Sequence, residues 1–216
     1  MTISVMLSKL SEGMVVSLLI FAVTLLFSLP LGLLVSFGRM AKNPLIRMIF
    51  KVYISIMRGT PLMLQLMVIY FGPFYILGVQ ISQSWKNMAV AIGFVLNYAA
   101  YFAEIYRSGI ESIPNGQYEA AQVLGYNKAQ TFIRIILPQV IKRVLPSITN
   151  ETITLVKDTS LAFTISIAEM FTVAKQIGAA QTSVMPLLAA GIFYYVFNLI
   201  VATVMEYIEK RLSYYR

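Results

Sequence analysis

The sequence predicts an all-α polytopic membrane protein with five transmembrane helices and a polar loop of two short helices between the third and fourth. Three observations predict it. Of 216 residues, 58% are hydrophobic and only 12% charged; with a positive mean hydropathy, that composition excludes an ordinary soluble domain. The stretches 13 to 38 and 176 to 205 contain no charged residue, and each exceeds the roughly 20 helical residues that cross a hydrocarbon core. Lysine and arginine gather between the apolar segments: 39 to 58 holds five, 107 to 143 five and 210 to 216 three, which is 13 of the 17. The positive-inside rule then puts those segments in the cytoplasm, the N-terminus outside and the C-terminus inside. Residues 1 to 216 read as a single domain in the lipid bilayer.

Composition also removes function classes. There is no cysteine and no histidine, so disulfides, thiolate chemistry, histidine general bases and His or Cys metal sites are excluded, and no metal site is expected. The net charge of +8 comes with no basic run or basic-aromatic interleaving outside the apolar segments, so membrane orientation accounts for it and nucleic acid is not an expected partner. No Gly-x-x-x-x-Gly-Lys-Ser/Thr loop occurs, and Gly125-Tyr-Asn-Lys128 is not one. If ATP and its magnesium drive this protein, another chain binds them.

In chain order, the first dozen residues carry one lysine and lead into an apolar run longer than a signal-peptide core, so 13 to 38 reads as a retained first span. Pro30 and Gly32 lie inside it, where a membrane helix tolerates them. Arg39, Lys42, Arg47 and Lys51 form a basic connector turning at Asn43-Pro44. The second apolar segment, Gly59 to Trp85, enters at Arg58-Gly59-Thr60-Pro61. Gly72-Pro73 and Gly78 are expected to break it before a polar loop over Gln80 to Asn87. Met88 to Arg107 reads as the third span. Its polar residues Asn97, Tyr101 and Glu104 stand at i, i+4, i+7, so they share a helix face that should look into the protein.

From Gln117 to Leu137 the residues favour helix, interrupted at Gly125 and Asn127, which predicts two short helices joined by a turn. Ala120 and Ala121 keep the first slim enough for a partner to approach its backbone. Ala129, Phe132, Ile133 and Ile136 place an apolar stripe on the second. Beyond Pro138, Glu151, Lys157 and Asp158 interrupt the fourth span, so this helix must be wrapped by protein or line a cavity. Thr159-Ser160 is expected to end it. Leu161 to Ala168 is too short to span and reads as a re-entrant or interfacial piece. Pro186 suits the first turn of a last span that ends at Glu206 to Arg211.

The pattern Glu119-Ala120-Ala121, then Gly125, Ile135 and Leu137-Pro138, resembles the signature cytoplasmic loop of the membrane-spanning subunit of binding-protein-dependent ATP-binding-cassette importers, at every fixed position. Arg58-Gly59-Thr60-Pro61 with Gln65 resembles the polar amino acid branch of that family. So do Ala103-Glu104-Ile105 with Arg107 and Ser112-Ile113-Pro114, and Lys157-Asp158-Thr159-Ser160-Leu161 with Ala168-Glu169. The resemblance implies a type I importer transmembrane domain in a bacterial cell membrane, with its coupling loop at about 115 to 138. It implies as partners a cytoplasmic ATPase dimer holding ATP and magnesium, a second permease subunit, with a homodimer favoured, and an extracytoplasmic solute-binding protein. Glu119, Ala120, Ala121, Gly125, Leu137 and Pro138 would dock the ATPase, and no catalytic residue is expected in this chain.

An amino acid crossing at mid-membrane needs its ammonium and carboxylate satisfied. Glu104 and Asp158 can meet cationic groups, and Asn97, Tyr101 and Ser160 can hydrogen-bond either end. With no clearly paired lysine nearby, the two carboxylates favour basic amino acids such as arginine, lysine or histidine, although Lys157 could neutralise one. A neutral amino acid remains open. So do an ion pair of Glu104 with Arg107 and an interhelical hydrogen bond from Gln65. A self-contained channel, a secondary transporter or a membrane scaffold are the rivals from other classes; no inverted repeat points to a secondary transporter.

Overall fold

A computed structural model describes residues 2–80 and 82–212, and among these the ordered segments are helices joined by short turns, with no strand. Ile81 in the expected 80 to 87 loop, and 213–216 in the basic C-terminal segment, lie outside the described residues.

Helix α1 (Ile3–Arg39) starts ten residues ahead of the uncharged run. Met6 and Leu10 explain the extension: both are buried against Met170, Ala174, Ile177 and Ala190, so packing carries the helix through a stretch with charged neighbours. The expected connector is itself a helix, α2 (Pro44–Gly59). Asn43 caps it, its side chain accepting from the Leu45 N–H at 2.9 Å, and Pro44 occupies the first turn, where its missing N–H costs nothing. Ile54 is buried against Val35, Ala100 and Ala103, and the Tyr53 hydroxyl donates to the Leu96 carbonyl at 2.6 Å.

Helix α3 (Leu62–Leu77) runs straight through the expected break at Gly72-Pro73 and stops only at Gly78. A proline inside a membrane helix frees one carbonyl, and neighbouring structure suffices to keep the helix going. Between α2 and α3 the chain bends by 110°. Helix α4 (Gln83–Glu111) begins five residues before Met88 because the Ser82 side chain accepts from the Trp85 N–H at 3.1 Å and caps it inside the expected loop.

The two-helix loop is α5 (Asn115–Val123), a turn, and α6 (Lys128–Thr131). Here the second helix does not stand apart. It passes through a π-helical turn over Phe132–Ile136 into α7 (Leu137–Asp158). Pro138 has no N–H to offer the preceding turn, and the Leu137 N–H bonds instead to the Phe132 carbonyl; a wider turn absorbs the proline without ending the helix. Of the predicted stripe on this helix, Ile136 is buried and Phe132 half-buried, while Ala129 and Ile133 are exposed.

Helix α7 stops at Asp158, just before the expected end at Thr159-Ser160, and a 3₁₀ segment, Thr159–Ile165, takes over. Helix α8 (Met170–Gln181) follows. Glu169 caps it: its fully buried carboxylate accepts the Phe171 and Thr172 N–H groups at 2.7 Å each, the Thr172 hydroxyl at 2.8 Å and the Tyr194 hydroxyl at 3.0 Å. Four donors answer the charge that burial would otherwise penalise. Helix α9 (Met185–Leu212) carries Pro186 in its first turn, as predicted.

α1 lies along α4. Ser17, Thr24, Ser28 and Gly32 form its buried small-residue stripe, and a Cβ on Gly32 would come within 2.8 Å of Phe102 Cβ and 3.0 Å of the Ala99 carbonyl; small residues permit this close approach. Among the described residues, α1, α4 and α9 are long and apolar enough to cross a membrane alone, and the bent α2–α3 pair makes a fourth candidate. α7, with Lys142, Arg143, Glu151, Lys157 and Asp158, is not among them.

Candidate functional site

Two polar cavities line up between α4 and α7. The first, about 350 Å³, is bordered by Thr60, Asn97, Tyr98, Tyr101, Glu151 and Asp158 among others. The second, about 540 Å³, is bordered by Arg58, Tyr101, Glu104, Arg107, Arg143 and Glu151 among others. Tyr101 and Glu151 border both. The lining follows from two helical registers: Asn97, Tyr101, Glu104 and Ser108 on α4, and Ser147, Glu151, Thr154 and Asp158 on α7, each set at i, i+4, i+7, i+11. Two polar stripes therefore face a shared space, which is how a helix too charged for lipid can lie at membrane depth.

The structure brings Asn97, Tyr101 and Asp158 to the first cavity and Tyr101 and Glu104 to the second. Ser160 borders neither; its hydroxyl donates to the Lys157 carbonyl at 2.7 Å. The Asn97 amide is already committed, donating to the Gln65 side-chain oxygen at 2.9 Å and the Met57 carbonyl at 3.0 Å. Gln65 in turn donates to the Met57 and Thr60 carbonyls at 2.9 and 3.0 Å. These two amides satisfy the last carbonyls of α2 and hold the α2–α3 bend, so Gln65 makes the interhelical bond left open above.

Glu104 does not stand without a partner. Arg107 bonds it at 2.7 Å, and the Arg39 and Arg58 guanidinium groups lie 3.7 and 4.0 Å away. This carboxylate ties α1, α2 and α4 together. Arg58 also lies over the Tyr101 ring, 5.3 Å from its centroid, within cation–π range. Asp158 accepts the Tyr98 hydroxyl at 2.7 Å, and among the described residues neither Asp158 nor Glu151 has a cation within 4.0 Å in an ion pair. Glu151 carries no role in the sequence beyond interrupting the fourth span; its i, i+7 spacing to Asp158 places both on one helix face.

The loop has a distinct geometry. Gly125 holds φ +78°. Its N–H bonds to the Gln122 carbonyl at 3.0 Å, and the Tyr126 N–H bonds to the Ala121 carbonyl at 3.1 Å. That pair of bonds is the Schellman ending of α5, which favours glycine at the left-handed position. Asn127 then starts α6 with a capping box to Gln130. Glu119, Ala120, Gly125 and Pro138 are exposed and Leu137 is half-buried. Ala121 is 1% exposed, so its side chain shapes the loop from within and offers no open contact face. The most open apolar groups of the loop are Val123, 88% exposed, and Leu124, 72%.

Residues 28–214 match the family described as the binding-protein-dependent transport system inner membrane component. The arginine transport system permease protein ArtQ of Bacillus subtilis is 39% identical over 203 residues, covering 94% of this chain and 91% of that one. A putative glutamine transport system permease protein, GlnP, of Rickettsia conorii is 36% identical, covering 93% and 91%. The L-cystine transport system permease protein TcyB of Bacillus subtilis is 35% identical, covering 95% and 87%. Among solved structures, the crystal structure of an amino acid ABC transporter with histidines superposes with a TM-score of 0.85 at 29% identity, covering 94% of each chain. The inward-facing MetNI methionine ABC transporter superposes at 0.73 and 17% identity, covering 99% and 100%, a likeness of fold alone. The signature loop, the helical membrane fold and the match across most of the chain converge: the chain belongs to the family of binding-protein-dependent ABC importer inner membrane components.

Proposed function

We propose that this chain forms half of the pathway for ATP-driven import of polar amino acids, and of basic ones in particular. The observation that carries the cargo reading is the 350 Å³ cavity bordered by Glu151 and Asp158, two carboxylates with no ion-pair partner among the described residues. Arg58 acts on Glu151 and Lys157 on Asp158 only from beyond ion-pair distance, so a substrate with a second cationic group would be their direct partner. Tyr101 and Thr154 border the same space and can hydrogen-bond the zwitterionic end. Glu104, already among three arginines, is the less suited of the sequence-predicted carboxylates to take another cation. An arginine permease among the relatives supports this reading, while glutamine and cystine permeases keep neutral cargo as the second one.

In this reading α1, α3, α4, α7 and α9 are the five spans of one transmembrane domain, the N-terminus lies outside and the C-terminus in the cytoplasm. The loop 115 to 138 docks a cytoplasmic ATPase dimer, which binds the ATP and magnesium. A second copy of the chain completes the pathway along a shared axis, and an extracytoplasmic binding protein delivers the substrate. The stiff run of α6, π turn and α7 makes the loop a lever on the pathway wall, so closure of the ATPases would move α7 against α4. Transport into proteoliposomes holding the complete complex tests it. Labelled arginine or lysine should enter faster than glutamine in an ATP-dependent way, and Asp158→Asn should abolish that preference. Equal uptake of arginine and glutamine, unchanged by Asp158→Asn and Glu151→Gln, would overturn the basic-cargo reading.

A further inference from the structure

Helix α2 has three faces, and the chain uses only one of them. Tyr53, Ile54 and Met57 pack on the bundle. Leu45, Ile49, Val52 and Ile56 recur at i, i+4, i+7, i+11, and each is more than half exposed. Roughly opposite them stand Arg47 and Lys51, with Lys42 in the preceding turn. All three are exposed, and none has an acidic partner within 4.0 Å among the described residues.

Helices α2 and α3 are equally long, sixteen residues each, so charge and not length separates them: α2 carries Arg47, Lys51 and Arg58, while α3 carries no charged residue and is the one suited to hydrocarbon. The 110° bend at Thr60-Pro61 sets α2 close to perpendicular to α3. A chain that sends α3 across the bilayer therefore lays α2 near the membrane plane. In that position the Leu45–Ile56 face meets acyl chains while the cations reach headgroup phosphates, the arrangement of an interfacial amphipathic helix.

We propose that α2 is an interfacial helix that recognises anionic phospholipid, its apolar face seated among the acyl chains and Lys42, Arg47 and Lys51 holding the headgroup charge. The proposal rests on α3 crossing the membrane. It is independent of the cargo and of which side the N-terminus occupies, so its failure would leave those readings standing.

The native chain has no cysteine, which makes a site-specific probe direct. Full-length chain carrying Ile49→Cys, labelled with a small fluorophore and assembled in the complete complex, is reconstituted into phosphatidylcholine vesicles containing phosphatidylglycerol. Nitroxide lipids should quench the probe while aqueous iodide does not. Quenching by headgroup-labelled phosphatidylglycerol should exceed that by labelled phosphatidylcholine by about threefold or more, given the attraction of each basic residue to an anionic surface. That excess should vanish in Lys42→Gln/Arg47→Gln/Lys51→Gln and persist in the charge-keeping Lys42→Arg/Arg47→Lys/Lys51→Arg. Shielding from iodide without lipid quenching would mean that protein, an ATPase or a second copy, covers this face, and would overturn the proposal. Equal quenching by the two lipids in the native background would overturn it as well.

Discussion

Tyr98 on α4 donates its hydroxyl to Asp158 on α7 across 2.7 Å, 60 residues apart in the chain. This bond joins the two helices that line the polar cavities, and Asp158 itself borders the first of them. Tyr98 is only 2% exposed, so the bond is part of the wall and not of the opening. Tyr98→Phe should lower stability by about 1–3 kcal/mol, the usual worth of a hydrogen bond to a charged group, visible as a lower melting temperature in detergent. It should leave amino acid stimulation of the assembled ATPase in place, whereas Asp158→Asn should abolish stimulation by arginine with assembly intact.

Glu104 gives a contrasting expectation. Removing its charge leaves Arg39, Arg58 and Arg107 gathered around a neutral side chain. Glu104→Gln should therefore destabilise the chain by roughly 1–3 kcal/mol, less than a fully buried broken pair because the group is partly exposed. Glu104→Gln/Arg107→Gln should recover part of that loss by lowering the repulsion. Melting of the purified chain decides this; a loss of arginine stimulation by Glu104→Gln with no change in melting would instead make Glu104 a substrate group.

The loop expectations separate shape from contact. Gly125→Val forces a side chain into a left-handed conformation, at a cost of about 1–2 kcal/mol, and Ala121→Arg drives a long side chain into a buried position. Both should distort the loop and uncouple uptake from ATP hydrolysis. Val123→Asp/Leu124→Asp changes only exposed groups, so the chain should insert and melt normally while the ATPase no longer co-purifies. Wild-type association in all three variants would move the docking surface elsewhere.

The orientation is tested with impermeant thiol reagents. Cysteine placed at Thr2 should label from outside intact cells and cysteine at Leu212 only after lysis. A reporter fused after the last residue that works only outside the cytoplasm would contradict the assignment.

Much of this protein was legible without coordinates, because lipid imposes one-dimensional rules. An uncharged run of sufficient length, as at 13 to 38, is helical throughout, because water cannot satisfy the backbone there, and the fixed spacing of the 119 to 138 loop survives in the linear chain. The α4 stripe of Asn97, Tyr101 and Glu104 followed from helical period alone. Tertiary structure decided the rest, since it depends on what each group meets across space. Packing on α8 and α9 extends α1 back to Ile3. A cap at Ser82 starts α4 ahead of the apolar run at Met88, and a π turn carries the chain through Pro138 into α7. Glu104 proved to be held by arginines from three helices, two of them distant in sequence, while Glu151 took the place beside Asp158. A charge at a given position announces that something must answer it, but only the fold determines which group does.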